Sequence, residues 1–250
     1  MYSHYGELCT EFYDLSKPLG YSTGDVDYYL DRLSNVKGKV LEVGCGSGRV
    51  LIPLLQAGVQ IDGIDNSCAM LEACRKRCEQ LKLNPLLIEG EMHSFSLDAR
   101  YEAIIIPGGS FQLIEEREKA VAALKQFNKH LVPGGKLILD LFLPTDFNAN
   151  AISTRTLETP QQEVLVLEDR RIEVNLIEQK TVSLLKYEKW KDGALLQSEL
   201  QRFAVSWYGL QEFELLLEKA GFHQISQSAD YTFGQKVVNA NQMITFEATS

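Results

Sequence analysis

Along the chain, strand-like and helix-like patterns of hydrophobic positions begin to alternate at residue 39. Residues 39–43 are a short apolar, β-branched run stopped by glycines, and residues 49–57 follow with apolar positions at helical spacing. The pair predicts a strand, a tight turn and a helix, with Pro53 early enough in the helix to bend it without ending it. The same alternation predicts strands over residues 60–64, 85–89, 103–106 and 135–142, and helices over 69–81 and 116–130. Continuous Ile, Val and Leu runs in such strands imply a parallel sheet covered by helices on both faces. The expected fold class is therefore α/β, with a doubly wound, mostly parallel sheet.

After residue 145 the rhythm changes. Residues 163–168, 171–179, 182–189 and 195–206 are β-like runs, with polar turns expected at Asp169-Arg170 and Asp192-Gly193. Consecutive strands joined by short turns form meanders, so residues 146–206 read as a small inserted antiparallel β subdomain. A helix over 211–219, stopped at Gly221, leads to two last strands near 223–228 and 242–248, an antiparallel hairpin on the main sheet. The expected organisation is an N-terminal helical lid over 1–38, a core over 39–145 and 207–250, and the insertion between its two parts.

Composition narrows the partners. With 250 residues and 45% hydrophobic content the chain can bury a full core. Its formal charge is −9, from 34 acids against 25 bases, and no basic run interrupts it, which argues against nucleic acid and anionic membranes as partners. No apolar stretch approaches the roughly 18 to 20 residues that span a bilayer, and the first residues lack a basic segment followed by an apolar one. The expected location is cytoplasmic. Five cysteines, an odd number, are expected to be reduced. Cys74 and Cys78 lie one helical turn apart without further ligands nearby in sequence, so no metal is expected.

The chemistry concentrates in residues 41–48, a glycine-rich turn placed between a predicted strand and a predicted helix. Gly44, Gly46 and Gly48 follow a Gly-x-Gly-x-Gly spacing, whereas the dinucleotide fingerprint needs Gly-x-Gly-x-x-Gly. Glu42 sits just ahead of them; its carboxylate would repel a pyrophosphate and tolerate a cationic ammonium or sulfonium ligand.

This block resembles the first motif of the class I S-adenosylmethionine-dependent methyltransferases, and the resemblance continues in family order over residues 39–142. It implies a Rossmann-like core, S-adenosylmethionine as cofactor and S-adenosylhomocysteine as product. By resemblance the cofactor would meet Glu42, Gly44, Cys45, Gly46 and Gly48, with Asp65 accepting both ribose hydroxyls and Asn66 and Met70 beside it. Glu91 and Met92 match the adenine-binding step, and Pro107, in the segment 103–110, the strand beneath the transferring methyl.

The N-terminal stretch with Tyr2, His4, Tyr5, Phe12 and Tyr13 resembles the lid of several small-molecule methyltransferases. Tyr5, Tyr13, Phe111 and Phe142 are the expected acceptor-pocket residues, and Tyr13, His93 and Ser110 the candidates for a catalytic role. Pro107-Gly108-Gly109-Ser110 stands where methyltransferases of nucleic-acid base amines carry an Asn/Asp-Pro-Pro-Tyr-type motif. The expected activity is methyl transfer to a nitrogen or oxygen of a small-molecule acceptor by in-line displacement, in a monomer or homodimer. A methyltransferase acting on RNA or protein, and a non-catalytic cofactor-binding module, remain the alternatives.

Overall fold

The structure, a computed structural model, describes residues 5–250; Tyr2 and His4 lie outside the described residues. In chain order it begins with α1 (Glu7–Ser16), α2 (Asp25–Leu33), β1 (Val40–Val43), α3 (Leu51–Gln56), β2 (Ile61–Asp65), α4 (Cys68–Gln80) and β3 (Leu87–Glu89). There follow β4 (Tyr101–Ile106), a 3₁₀ segment (Pro107–Leu113), α5 (Arg117–His130) and β5 (Leu131–Leu141). The chain then runs through β6 (Ile152–Glu158), β7 (Val164–Asn175), β8 (Lys180–Lys191) and β9 (Ala194–Ser206) to α6 (Leu210–Lys219), β10 (His223–Ala229) and β11 (Ile244–Thr249).

The larger sheet has the order β10-β11-β5-β4-β1-β2-β3. Strands β1 to β5 pair in parallel, and β11 runs antiparallel to both β5 and β10. Alternate side chains of each strand feed opposite layers, which is why the strands read as unbroken apolar runs. Leu41, Val43, Ile104, Ile106, Leu137 and Leu139 pack with α5, α6 and the 3₁₀ segment. Val40, Ala103, Ile105 and Ile138 pack with α2, α3 and α4 on the other face. From β1 the chain proceeds to β2 on one side, while β4 flanks β1 on the other. That reversal of strand order opens a crevice beyond the carboxyl ends of β1 and β4.

The second sheet, β6-β7-β8-β9, is antiparallel throughout. It corrects the sequence expectation at two places. Asp169 and Arg170 form no turn: β7 runs straight through them, with Asp169 paired to Ser153 on one side and Leu185 on the other. The reversal falls at 176–179 instead, and β6 is a further strand whose polar, exposed residues leave no apolar pattern to read. Asp192 and Gly193 do form the β8–β9 turn, with φ of 50° and 78°, the left-handed pair that matches strand twist in a two-residue hairpin.

The two N-terminal helices pack in different places. Leu8, Cys9 and Phe12 of α1 pack on Leu165, Leu167, Leu185 and Tyr187 of the second sheet. Val26, Tyr29 and Leu33 of α2 pack into the core layer beside α3 and α4. Of these two helices, α1 is the one that reaches the crevice.

Two residues expected to line the acceptor pocket are placed elsewhere. Gly108 and Gly109, with φ of 64° and 79°, turn the chain sharply after β4 and send Phe111 into the core. There it is fully buried, with ring centroids 5.4 Å from Phe213 and 5.7 Å from Tyr208. Phe142 lies on the other side of the Gly109 backbone, where it lines a separate depression with Tyr231 and Met243. Phe111→Ala should therefore cost about 3 to 5 kcal/mol of stability, the usual loss for an aromatic side chain removed from a packed core. Urea titration checks this, and a loss under about 1 kcal/mol would place the ring outside the core.

Candidate active site

The crevice holds a cavity of about 370 Å³. Its floor comes from the turn after β1. Gly44 and Gly46 have φ of 77° and 53°, and both line the cavity. A side chain at Gly46 would point into open space, its nearest neighbour being Met70 Sδ at 3.8 Å; one at Gly44 would press on Met92 and Ser110 at 3.0 Å. The floor is thus shaped for close approach of a ligand to backbone, which only glycine permits here.

Asp65 ends β2 and organises the turn. Its Oδ2 accepts the Gly46 amide at 2.8 Å and its Oδ1 the Ser67 amide at 2.9 Å. Ser67 in turn caps α4, its Oγ accepting the Met70 amide at 3.1 Å. One carboxylate therefore fixes both the glycine turn and the start of α4. A carboxylate offers about four lone-pair sites, so Asp65 keeps capacity for a further donor. Burial raises the Asp65 carboxyl above its usual range, and the amides of Ser67 and Gly46 oppose that shift.

Asn66, Met70, Glu91, Met92 and His93 continue the lining on the α4 and β3 side, where Asn66 Nδ2 donates to Glu91 Oε2 at 3.3 Å. Tyr5 and Tyr13 close the cavity from α1 and the residues before it. Ser110, whose Oγ donates to the Pro107 carbonyl at 2.9 Å, lies against Gly44 on the lining.

Four residues expected at the cofactor do not line the cavity. Glu42 is 2% exposed beneath the glycine turn, and its Oε2 has no hydrogen-bond partner. Burial pushes its carboxyl well above the usual range, with Arg49 opposing. The Cys45 sulfur lies toward Gly63 in the layer of α3 and α4, so its side chain faces core rather than ligand. Gly48 is needed for packing: a side chain there would meet Cys74 Sγ and Ile52 at 2.8 Å. Pro107, the first residue of the 3₁₀ segment, is buried.

Sequence reasoning did not name the residues of the roof. Leu113, Ile114 and Glu115 descend from the end of the 3₁₀ segment, Lys119 from α5, and Arg202 and Phe203 from β9. Arg202 grips Glu115 through both terminal nitrogens, at 2.5 and 2.7 Å, and Lys180 adds a contact at 3.3 Å. This pairing holds the Glu115 carboxyl below its usual range. No local signal marks Arg202, because its partner lies 87 residues away in sequence.

Behind the site, Asp140 at the end of β5 carries the Gly108 turn. It accepts the Gly108 amide at 2.8 Å, the Tyr231 hydroxyl at 3.0 Å and the Thr245 hydroxyl at 2.7 Å. Burial nevertheless pushes its carboxyl up to about 6. Among the described residues no cluster of three or more His, Cys, Asp or Glu is arranged to hold a metal ion.

Comparison with known proteins places this geometry among methyltransferases. Residues 40–135 match a family described as a methyltransferase domain. Over 97% of the chain and 96% of the relative, the sequence is 24% identical to the cypemycin N-terminal methyltransferase of a Streptomyces species. It is 28% identical, over 61% of the chain and 60% of the relative, to the dTDP-3-amino-3,6-dideoxy-alpha-D-glucopyranose N,N-dimethyltransferase of Streptomyces fradiae. A crystal structure of an S-adenosylmethionine-dependent methyltransferase from Clostridium acetobutylicum shares the fold, with a TM-score of 0.78, 16% identity and 96% of each chain covered.

Asp140 supplies a pH prediction. Its folded-state pKa of about 6 lies above the usual 3.8, so the folded state holds this proton more tightly than the unfolded state. The stabilisation is fully present below the unfolded pKa and is lost as pH rises through about 6. Between pH 4 and 7 the parent protein should lose up to about 3 kcal/mol relative to Asp140→Asn, whose side chain does not titrate. Denaturant unfolding of both proteins across that range checks the slope; parallel curves would contradict it.

Proposed function

On the premise that this chain is a class I S-adenosylmethionine-dependent methyltransferase, we propose that it methylates an amine nitrogen of a small-molecule acceptor by in-line displacement. The observation that carries the reading is Asp65, which builds the glycine floor at the cavity and offers its carboxylate to the ribose hydroxyls. Gly44 and Gly46 give the methionyl part backbone to lie against, and Glu91 and Met92 flank the adenine.

When bound, S-adenosylmethionine supplies a methyl group already activated by its positive sulfur, so the residues of this chain have a geometric task. Tyr13 and Ser110 both line the cavity and confine the acceptor. Such confinement is worth roughly 7 to 11 kcal/mol when the reacting atoms are held in line at near-attack distance. An amine acceptor must also shed a proton. Burial raises the Tyr13 phenol and keeps it protonated, and the Ser110 hydroxyl is committed to Pro107. His93, the imidazole on the lining, is left as the base.

Two relatives bear names of amine methylation, one N-terminal and one on an amino sugar. A second reading, a peptide amino terminus as acceptor, draws support from an open groove of about 1590 Å³ that shares Tyr5, Asn66 and Glu91 with the cavity.

Two measurements test the proposal. In calorimetry, Asp65→Ala should weaken S-adenosylhomocysteine binding about tenfold to a hundredfold, the loss expected for hydrogen bonds to a charged group. Unchanged affinity would remove Asp65 from the cofactor site. In a screen of small amines, hydroxyl compounds and peptides read by S-adenosylhomocysteine release, turnover should appear with amines, and His93→Ala should lower kcat about a hundredfold or more. Turnover confined to hydroxyl acceptors, or a variant with full activity, would contradict the nitrogen assignment or the base respectively.

A further inference from the structure

The helix that closes the cavity is attached in opposite ways on its two sides. Toward the second sheet its contacts are apolar: Leu8 and Phe12 are buried against Leu165, Leu167 and Tyr187, and the Phe12 and Tyr187 rings meet edge to face at 5.9 Å. Lys189 adds an ion pair to Glu11 at 2.6 Å. Apolar burial of this kind joins α1 and the four-stranded sheet into one body.

Toward the core the contacts are polar and few. Asp14 Oδ1 accepts the Ser47 hydroxyl at 2.5 Å, and Asp14 Oδ2 pairs with Arg77 Nη2 at 3.0 Å. Arg77 Nη1 also donates to the Ser47 carbonyl at 3.1 Å and to its hydroxyl oxygen at 2.9 Å. Nearby, Ser67 Oγ donates to the Tyr5 carbonyl at 2.8 Å. Ser47 belongs to the glycine turn and Arg77 to α4, so the cluster ties the helix to both walls of the cofactor cavity. The Arg77 and Asp14 side chains are 18% and 21% exposed, dry enough to hold and wet enough to exchange for water.

At the far end the same body is anchored to the core by Arg202 on Glu115 and by Ser206, whose carbonyl accepts from Gln112 at 2.8 Å. The chain crosses between the two sheets at that end, in residues 142–151 and 207–209. A body fixed at one end and held by exchangeable polar contacts at the other can open without unpacking either core.

We propose that Asp14, Ser47 and Arg77 form a polar latch that holds α1 and the inserted sheet closed over the cavity, and that the cofactor enters and its product leaves by release of this latch. Asp14 and Arg77 are positioning residues: they touch no reacting atom and act by setting Tyr5 and Tyr13 on the cavity wall. The proposal rests on the cofactor reading above.

The test is the rate of S-adenosylhomocysteine exchange on the full chain, by surface plasmon resonance, for the parent, Asp14→Ala, Arg77→Ala, the double variant and Arg77→Lys, with melting temperatures alongside. The latch predicts faster association and about tenfold faster dissociation in each alanine variant. The double variant should match Asp14→Ala within about twofold, because both changes remove the same contact. Arg77→Lys, which keeps the charge, should fall between the parent and Arg77→Ala; if an alanine variant fails to fold, this variant decides. Association that is unchanged or slower, with a lowered melting temperature, would overturn the latch and leave Asp14 and Arg77 a role in stability alone. A parent chain that binds no S-adenosylhomocysteine would overturn the cofactor reading and the latch with it.

Discussion

The molecule depends on one carboxylate set where the strand order reverses. Asp65 receives the amide of the glycine turn on one oxygen and the amide that starts α4 on the other. These two segments leave adjacent strands of a parallel sheet, and parallel strands deliver their carboxyl ends to the same rim. Without an acceptor between them, two clusters of backbone donors would face each other across the crevice. With it, they become the floor and wall of one cavity, and the acid keeps capacity for a ligand.

The rest of the fold serves to hold that rim still. Two apolar layers clamp the sheet, and the Gly108–Gly109 turn, tied to buried Asp140, carries the chain away from the crevice so that Phe111 reinforces the core behind it. The second sheet reaches over the front through β9 and carries α1 across the opening on an apolar seam. Rigid parts are joined by apolar contact, and the side through which ligands would pass is closed by polar groups.

How much of this was legible in the sequence follows from burial. Strands covered on both faces must be apolar throughout, so β1, β2 and β4 appear in the pattern within two residues of their observed ends. The second sheet is open to solvent over much of its area and gives a weaker pattern. Polar Asp169-Arg170 imitates a turn in mid-strand, while the true reversal contains Leu176 and Ile177, exposed apolar residues that imitate a strand. Of the site, Gly44, Gly46 and Asp65 were readable because backbone geometry dictates residue type there. Cys45, Gly48 and Phe111 share the local motifs yet turn toward core, a direction fixed by packing partners distant in sequence. The residues of the roof were unreadable for the same reason, since Arg202 and Glu115 meet only after the insertion folds back.

The most direct test of the central claim is a crystal structure of the chain soaked with S-adenosylhomocysteine. The account predicts the ligand in the cavity beyond β1 and β4, with one ribose hydroxyl on each oxygen of Asp65 and the homocysteine part along Gly44 and Gly46. A ligand seated elsewhere, or one in this cavity with Asp65 bonded only to the Gly46 and Ser67 amides, would contradict it.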